Sequence, residues 1–470
     1  MKKYFAVILA FLMICMAGCT ATVEVGETTA VTTEETPALL TAEDYFLKAF
    51  EKDIADYMEY ANANKNGSMS VGVENVDYLL SLFAMNNLSI PKLSDVLLEM
   101  SADGEKMVAN YVLSAKVNGH DANIGLGLDM ADFNMAIYSN LFEDVIGIDY
   151  AEITGIEMPD MSSYGQFMYD FVETYGMLCG NLIMKHNSGV ELTDNGETVT
   201  VTVKIGGEDA YNFAAAIMDA LAADENFVKF VSELYQVDFA EVKAEFDASA
   251  ADTKAEMADS GITLALAADI DKVTFACYHV DVEVTDGTET IVISADETEG
   301  AGSLTLNADD EVVFELDYAS EADSFNADFS LEVAEEDGTC SGYIKAEGGN
   351  FDVAVNVTAV EYDWNAGKEV ETKHMVSLKG TYTVEGGKYT VTIGSISYNE
   401  ITIDLSKAGV TLSYELGGEA VALPTVTKDF YDITDEEGQA LIMGIFEKLE
   451  IDPSVFGASA AVPENEIIYE

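Results

Sequence analysis

The stretch TDNGETVTVTVKI, residues 193–205, shows the pattern that decides the fold. After the turn residues Asp194-Asn195-Gly196, Val199, Val201, Val203 and Ile205 alternate with Thr or Lys. Because a β-strand turns successive side chains to opposite faces, this alternation predicts a strand with one apolar and one polar face. Such strands are typical of an antiparallel sheet that packs on one side and meets water on the other.

The same alternation recurs along the C-terminal half of the chain. Turn-forming pairs such as Asp286-Gly287 and Gly386-Gly387 separate the apolar runs. Between residues 261 and 416 we expect roughly a dozen strands and no helix. This spacing predicts a long antiparallel meander rather than the βαβ units of a Rossmann or periplasmic solute-binding fold. The clearest runs are Phe329, Leu331 and Val333, then Phe351, Val353, Val355 and Val357, then Val410, Leu412 and Tyr414.

Four other stretches repeat apolar residues at helical spacing. The first begins at about residue 42, where Thr41 and Asp44 approximate a capping box, and ends near residue 63. The others run over 163–185, over 209–252 as two or three helices, and over 435–450. We therefore expect an α+β fold. Its main part would be a large, strongly curved, half-barrel-like antiparallel β-meander whose apolar face is covered by amphipathic helices.

The N-terminus has the layout of a bacterial export signal. Lys2 and Lys3 precede an uncharged, mostly apolar run from Tyr4 to Met16, which is shorter than the about 20 residues needed to span a bilayer. The run ends in Met16-Ala17-Gly18-Cys19. This tetrapeptide resembles the lipobox of bacterial lipoproteins, although that family prefers Leu where Met16 stands.

The lipobox resemblance implies cleavage between Gly18 and Cys19, with diacylglycerol and palmitate attached at Cys19. It also implies a cell-membrane location on the extracytoplasmic face. An ordinary signal peptide cut near Ala17 is the alternative. Residues 20–40 are rich in Thr and Glu and show no periodicity, so they predict a flexible stalk that reaches roughly 25 Å from the membrane.

These features divide the chain into five predicted parts. They are a signal peptide (1–18), a lipidated cysteine with its stalk (19–40), an N-terminal α+β half (41–255), a C-terminal β-meander with a closing helix (256–454) and a tail (455–470). The element order and the lipobox resemble LolA- and LppX-type half-barrel carriers of lipids and lipoproteins, although no residue motif of that family recurs here. The chain is long enough for two such modules, so two half-barrels and one extended sheet both stay open.

The chain is strongly acidic, with 86 acidic residues against 22 basic ones and a formal net charge of −64. All basic residues are Lys. Nucleic acid is excluded as a partner, because its phosphate backbone is bound by basic side chains. Anionic lipid headgroups would be repelled, which leaves the Cys19 lipid as the membrane attachment. Solubility accounts for the acidity, and diffuse binding of divalent cations is the alternative.

No catalytic, cofactor or metal site is predicted. Ser89 and Lys92 form an SxxK sequence, but Pro91 disfavours the helical turn that would bring them together. Gly125-Leu126-Gly127 lies in an alternating run and lacks the third glycine of a dinucleotide-binding motif. None of the 86 acidic residues stands out as half of a glycosidase carboxylate pair.

The remaining candidates are dispersed along the chain. Asp194-Asn195-Gly196 begins like a calcium loop, but Val199 and Ile205 stand where Gly and Glu are required. Trp364 would be a sugar-stacking platform or a partly covered hydrophobic residue. A single long-range disulfide is the alternative to isolated cysteines. Structural roles are expected for His120, His186, His279, His374, Cys179, Cys277 and Cys340.

Together these observations predict a membrane-anchored, extracytoplasmic, non-enzymatic protein. The apolar strand faces exceed the helices able to cover them, which suggests a half-barrel that binds a small apolar ligand, and a fully packed core without a cavity stays open as the alternative. The alternative function is a cell-envelope structural or protein-interaction module that holds another envelope protein, and an enzyme is the third possibility. The expected partners are the membrane, through Cys19, and an apolar ligand or another envelope protein.

Overall fold

A computed structural model describes residues 39–82, 91–149, 164–235, 237–245, 247–248, 261–298, 300–309, 311–321, 324–333, 338–363, 368–418 and 421–452. Strand accounts for 52% of the structure and helices accompany the strands, so the predicted β-rich α+β class is confirmed. In the part of the chain that is described, no helix has both the length and the apolar character needed to cross a membrane.

Helices form where the sequence predicts them. The Asp44 backbone N–H donates to Thr41 Oγ1 (3.1 Å) and the Thr41 N–H donates to the Asp44 carboxylate (3.2 Å), which fixes the predicted start of the first helix. The described helices include α1 (Ala42–Ala63), α2 (Val76–Leu82), α3 (Tyr164–Lys185), α4 (Glu208–Ala223), α5 (Glu225–Tyr235), the 3₁₀ helix η1 (Phe430–Asp432) and α6 (Asp435–Lys448). Helix α2 was not predicted, although Asn75 caps it by accepting the Tyr78 N–H at 2.9 Å.

The strands follow the predicted alternation, and the described residues between 263 and 416 contain strands but no helix. In chain order they are β1 (Asn66–Val73), β2 (Leu93–Asp103), β3 (Val108–Val117), β4 (His120–Asp129), β5 (Asn134–Ser139), β6 (Ile146–Asp149), β7 (Gly189–Asp194), β8 (Thr198–Gly206), β9 (Thr263–Asp271), β10 (Cys277–Thr285), β11 (Thr290–Thr298), β12 (Ala301–Ala308), β13 (Glu311–Glu321), β14 (Ser324–Val333), β15 (Gly338–Glu347), β16 (Asn350–Asp363), β17 (Lys368–Glu385), β18 (Lys388–Tyr398), β19 (Ile401–Asp404), β20 (Val410–Leu416) and β21 (Lys428–Asp429).

The chain forms two compact units, and each takes two separate segments. Unit 1 contains the described residues up to Ala63 and those from Gln166 to Ser377. Unit 2 contains those from Asn64 to Gly165 and from Leu378 onwards. The units therefore alternate along the chain. The predicted halves, 41–255 and 256–454, are each continuous, and that division stays a prediction.

In unit 1 the strands from β7 to β16 form an antiparallel meander in which each strand pairs with the next. The core lies at one end of this meander. Apolar side chains of β8, β9 and β10 pack there against α1, α3 and α4. Val201 of β8 and Ile270 of β9 are fully buried in this core.

In unit 2 the strand order is β19-β18-β20-β1-β2-β3-β4-β5-β6, and β21 pairs in parallel with β6. Strand β20 of the second segment pairs with β1 of the first. Unit 2 therefore requires both of its segments. Beyond α6, the Asn118 side-chain amide donates to the Leu449 carbonyl (2.9 Å), which ties the C-terminal segment to the β3–β4 turn.

Candidate functional site

The apolar face of the unit 1 sheet continues far beyond the helices that cover its first strands. A single row of residues that lie opposite one another runs from β8 to β16, and every member of it is apolar. The row is Val203, Leu266, Val282, Ile293, Leu306, Phe314, Leu331, Cys340 and Val357.

Exposure changes along this row. Val203 is 1% exposed at the end covered by the helices, whereas Leu331 and Val357 are each 40% exposed. We call the apolar side of β11 to β16 the open face. Contiguous apolar surface of this kind marks an interaction site on a folded protein. Other exposed large side chains on the open face are Ile291, Leu304, Phe325 and Ile344.

Two aromatic rings cover glycines on the open face. A Cβ atom added to Gly302 would lie 2.5 Å from the Tyr318 hydroxyl oxygen, and one added to Gly342 would lie 2.4 Å from the Ala354 carbonyl oxygen and 2.6 Å from the Phe329 ring. The rings therefore occupy the space that a side chain at either glycine would fill, and they shield the backbone of the neighbouring strand.

A carboxyl group lies on this apolar side of β11. Glu297 lies opposite Gly302, so it shares the face of Ala295 and Ile293. Burial raises the pKa of the Glu297 carboxyl to about 7, and the negative charge of Asp53 on α1 acts in the same direction. Glu297 is therefore partly protonated near neutral pH.

Cys277 lies at the start of β10 and is influenced by the same carboxylates. Burial, followed by the charges of Asp53, Asp269 and Glu297, raises the pKa of its thiol to about 12. Because the thiolate is the reactive form of cysteine, this thiol is poorly suited to nucleophilic chemistry.

The stability of the chain should depend on pH through Glu297. Because its folded-state pKa lies above the ordinary value of 4.5, the stability should fall as pH rises from 4.5 through about 7. We expect Glu297→Gln to match the wild type at about pH 5 and to exceed it at about pH 8. Urea-unfolding midpoints measured across this range provide the check.

The matched control for this prediction is Glu283→Gln, a change on the polar side of β10. It should retain the pH dependence of the wild type. A Glu297→Gln variant that loses stability with pH as steeply as the wild type would contradict the prediction.

The opposite face of the unit 1 sheet is polar. On it, His279 lies between two carboxylates, with Nδ1 2.7 Å from Asp296 Oδ1 and Nε2 2.9 Å from Asp281 Oδ2. Burial lowers the pKa of His279, but the hydrogen bonds to Asp281 and Asp296 outweigh it, so the pKa is raised. Both ring nitrogens are engaged, and the cluster joins β10 to β11 as a structural cross-link.

A groove of about 300 Å³ lies on this polar face between β13 and β16. Asp317 lies directly opposite Asp328 across its floor. The groove is therefore an oxygen-lined surface feature and not an apolar cavity. Among the described residues, no group of three or more His, Cys, Asp or Glu side chains is placed to hold a metal ion. The side chains lining the groove include Glu315, Asp317, Asp328, Ser330, Ser341, Tyr343 and Asn356.

Several of the residues singled out in the sequence lie outside the described part of the chain. Gly18 and Cys19 fall in residues 1–38, and Ser89 and Trp364 fall in two internal stretches. Lipid attachment at Cys19 and cleavage after Gly18 therefore stay predictions.

The other singled-out residues do not converge. Asp194-Asn195-Gly196 forms the turn between β7 and β8, where the Gly196 N–H donates to the Asp194 carboxylate at 2.9 Å and Lys272 pairs with that carboxylate. Cys179, Cys277 and Cys340 are not joined in disulfides. Gly125 and Gly127 of β4 lie against Tyr138 and Leu423.

The four histidines are also dispersed. His120 lies 3.5 Å from the Glu450 carboxylate in unit 2, and His374 lies in β17. His186 follows α3, where burial lowers its pKa and its Nε2 atom has no hydrogen-bond partner. Among the described residues, none of these histidines belongs to a group of three or more His, Cys, Asp or Glu side chains that could hold a metal ion.

The open face is therefore a described surface suited to an apolar partner: it is broad, apolar and continuous with a packed core. No family model, curated protein or solved structure matches this chain.

Proposed function

We propose that this chain is a membrane-anchored, extracytoplasmic, non-enzymatic lipoprotein that binds an apolar ligand on the open face. In this proposal the meander curves like a half-barrel around the ligand, as the resemblance to LolA- and LppX-type carriers implies. The observation that carries the proposal is the unbroken apolar row from Val203 to Val357, which is buried under helices at one end and exposed at the other.

The spacing of the strands indicates the kind of ligand. Neighbouring strands lie about 4.8 Å apart, so a ligand that crosses from β12 to β16 must extend over roughly 19 Å. A long acyl chain has this length and no polar groups that would need partners on the open face. The ligand class we propose is therefore a lipid or another molecule with a long hydrocarbon chain.

The number of exposed side chains that the ligand covers determines how tightly the open face can bind it. Covering one large apolar side chain that is about 40% exposed contributes about 1 kcal/mol. Four such contacts, together with a similar contribution from the ligand's own apolar surface, give about 8 kcal/mol, which corresponds to micromolar affinity before the cost of association is subtracted. Binding should therefore require a ligand that covers several strands at once. The four contacts are Leu304, Leu331, Ile344 and Val357.

A pair of charge insertions on β14 tests this proposal. Leu331→Glu places a carboxylate on the open face, and Ser330→Glu places the same charge on the polar face of the same strand. We expect Leu331→Glu to weaken binding of a fluorescent long-chain fatty-acid probe by the full chain at least about tenfold, because a carboxylate under the hydrocarbon chain would be desolvated. Ser330→Glu should bind as the wild type does.

Circular dichroism should show that both variants keep the strand content of the wild type, since residue 331 is exposed and residue 330 half-buried. Equal binding by the two folded variants, or no saturable binding by the wild type, would overturn the proposal.

A further inference from the structure

Unit 2 carries an apolar sheet face of its own. Two adjacent rows of residues that lie opposite one another cross β18, β20, β1, β2, β3 and β4. We call these two rows the tyrosine face. The first row is Tyr389, Tyr414, Met69, Met100, Tyr111 and Leu126, and the second is Val391, Leu412, Val71, Leu98, Leu113 and Ile124.

The tyrosine face is exposed over most of its extent. Tyr389 is 53% exposed, Tyr414 43% and Ile124 49%. Neither row contains a charged residue, although the chain has a formal net charge of −64. Protein interfaces are enriched in Tyr and Met and depleted of charge at their centre, as this face is. The remaining exposed members are Met69, Val71, Tyr111, Leu113 and Leu412.

The opposite side of the same strands is polar. Ser413 on β20 lies opposite Ser70 on β1 and Thr390 on β18, and its hydroxyl lies 3.1 Å from that of Thr390. Ser70 in turn lies opposite Glu99 on β2. Covering the tyrosine face would therefore remove apolar surface from water, whereas covering the opposite side would bury polar groups.

We propose that the tyrosine face binds the tyrosine face of a second copy of this chain, sheet against sheet. Together with the flanking apolar rows it has 20 residue positions of about 4.8 Å by about 6.8 Å each, or roughly 650 Å², which lies within the range of about 600–1,000 Å² that each partner contributes to a standard stable interface. The flanking rows are Ile393, Val410, Val73 and Val96 on one side and Leu416, Gly67, Ala102 and Ala109 on the other.

The charge distribution favours a second copy over a basic partner. A basic protein would be held by carboxylates, and the tyrosine face has none. A two-fold axis places the same uncharged patch on both copies, and two such faces pack about 10 Å apart. The acidic residues lie elsewhere and repel the two copies at longer range, so added salt should strengthen the dimer, whereas it would weaken a complex held by opposite charges.

Site-directed photocrosslinking in the full chain tests the proposal. A photoreactive phenylalanine analogue at Tyr414 should yield an adduct of twice the chain mass in membranes of the producing cell. The same analogue at Ser413, on the polar face of β20, should yield less than about a tenth of that adduct. In isolated membranes the Tyr414 adduct should increase at least about twofold between about 0.05 M and about 0.5 M NaCl.

Tyr389→Glu should abolish the Tyr414 adduct, because residue 389 lies opposite residue 414 and a carboxylate there would be buried against the second copy. An adduct with a different protein, no adduct above that at Ser413, or a yield that falls with salt would overturn the proposal. A failure of the proposed ligand binding can be distinguished from a failure of this dimer. Leu331→Glu changes unit 1, so it should leave the Tyr414 adduct unchanged.

Discussion

Ile270→Ala should lower the free energy of unfolding by about 3 kcal/mol, whereas Ile344→Ala should lower it by less than about 1 kcal/mol. The two side chains are chemically identical and lie on the same side of the unit 1 meander. Ile270 on β9 is 0% exposed under the helices, and Ile344 on β15 is 38% exposed on the open face. Truncation at residue 270 leaves a cavity, while truncation at residue 344 removes atoms that water already reaches.

Chemical unfolding of both variants in the absence of ligand provides the measurement. Saturating ligand should stabilise the wild type more than it stabilises Ile344→Ala, because that variant loses part of the binding surface. Equal destabilisation by the two substitutions would contradict the distinction between the covered end and the open face.

Cys19→Ser should abolish lipid attachment altogether. If the lipobox prediction is correct, the Cys19 thiol forms a thioether to diacylglycerol, and the serine hydroxyl cannot replace it. Two acyl chains give stable anchoring where one would be marginal, because each buried methylene contributes about 0.8 kcal/mol. The variant should therefore be released as a soluble form or stay as an uncleaved precursor held by residues 4–16.

Metabolic labelling with a fatty-acid analogue provides the measurement. The wild type should incorporate the label and Cys19→Ser should not. The folded part should be unaffected, since residues 20–40 are predicted to be a stalk, so circular dichroism of released Cys19→Ser should show the same strand content. Equal labelling of the two chains would show that Cys19 is not the acceptor.

Local features of the fold could be predicted from the sequence because local chemistry decides them. The Thr41 and Asp44 pair set the start of α1, and the alternation of Val with Thr after Gly196 set the two faces of β8. The predicted excess of apolar strand surface over helices has its counterpart in the open face. The start of α1 and the two faces of β8 needed only residues within a few positions of one another.

Other features depend on residues far apart in sequence and could not be predicted in this way. The pairing of β20 with β1 joins residues near 413 to residues near 70, and no local pattern specifies it. The place of Glu297 on the apolar face could have been predicted, because Glu297 follows Ile293 and Ala295 at alternate positions along β11. Its raised pKa also depends on Asp53 of α1, which only the folded chain brings near.

Native mass spectrometry of the full chain, purified from the organism that produces it, tests the central claim most directly. The proposal predicts a population that carries a non-covalent apolar molecule in addition to the predicted Cys19 lipid. Organic solvent should extract this molecule, and it should be missing from Leu331→Glu but present in Ser330→Glu. A wild-type chain without any extractable apolar molecule, or a Leu331→Glu chain that retains it fully, would contradict the account.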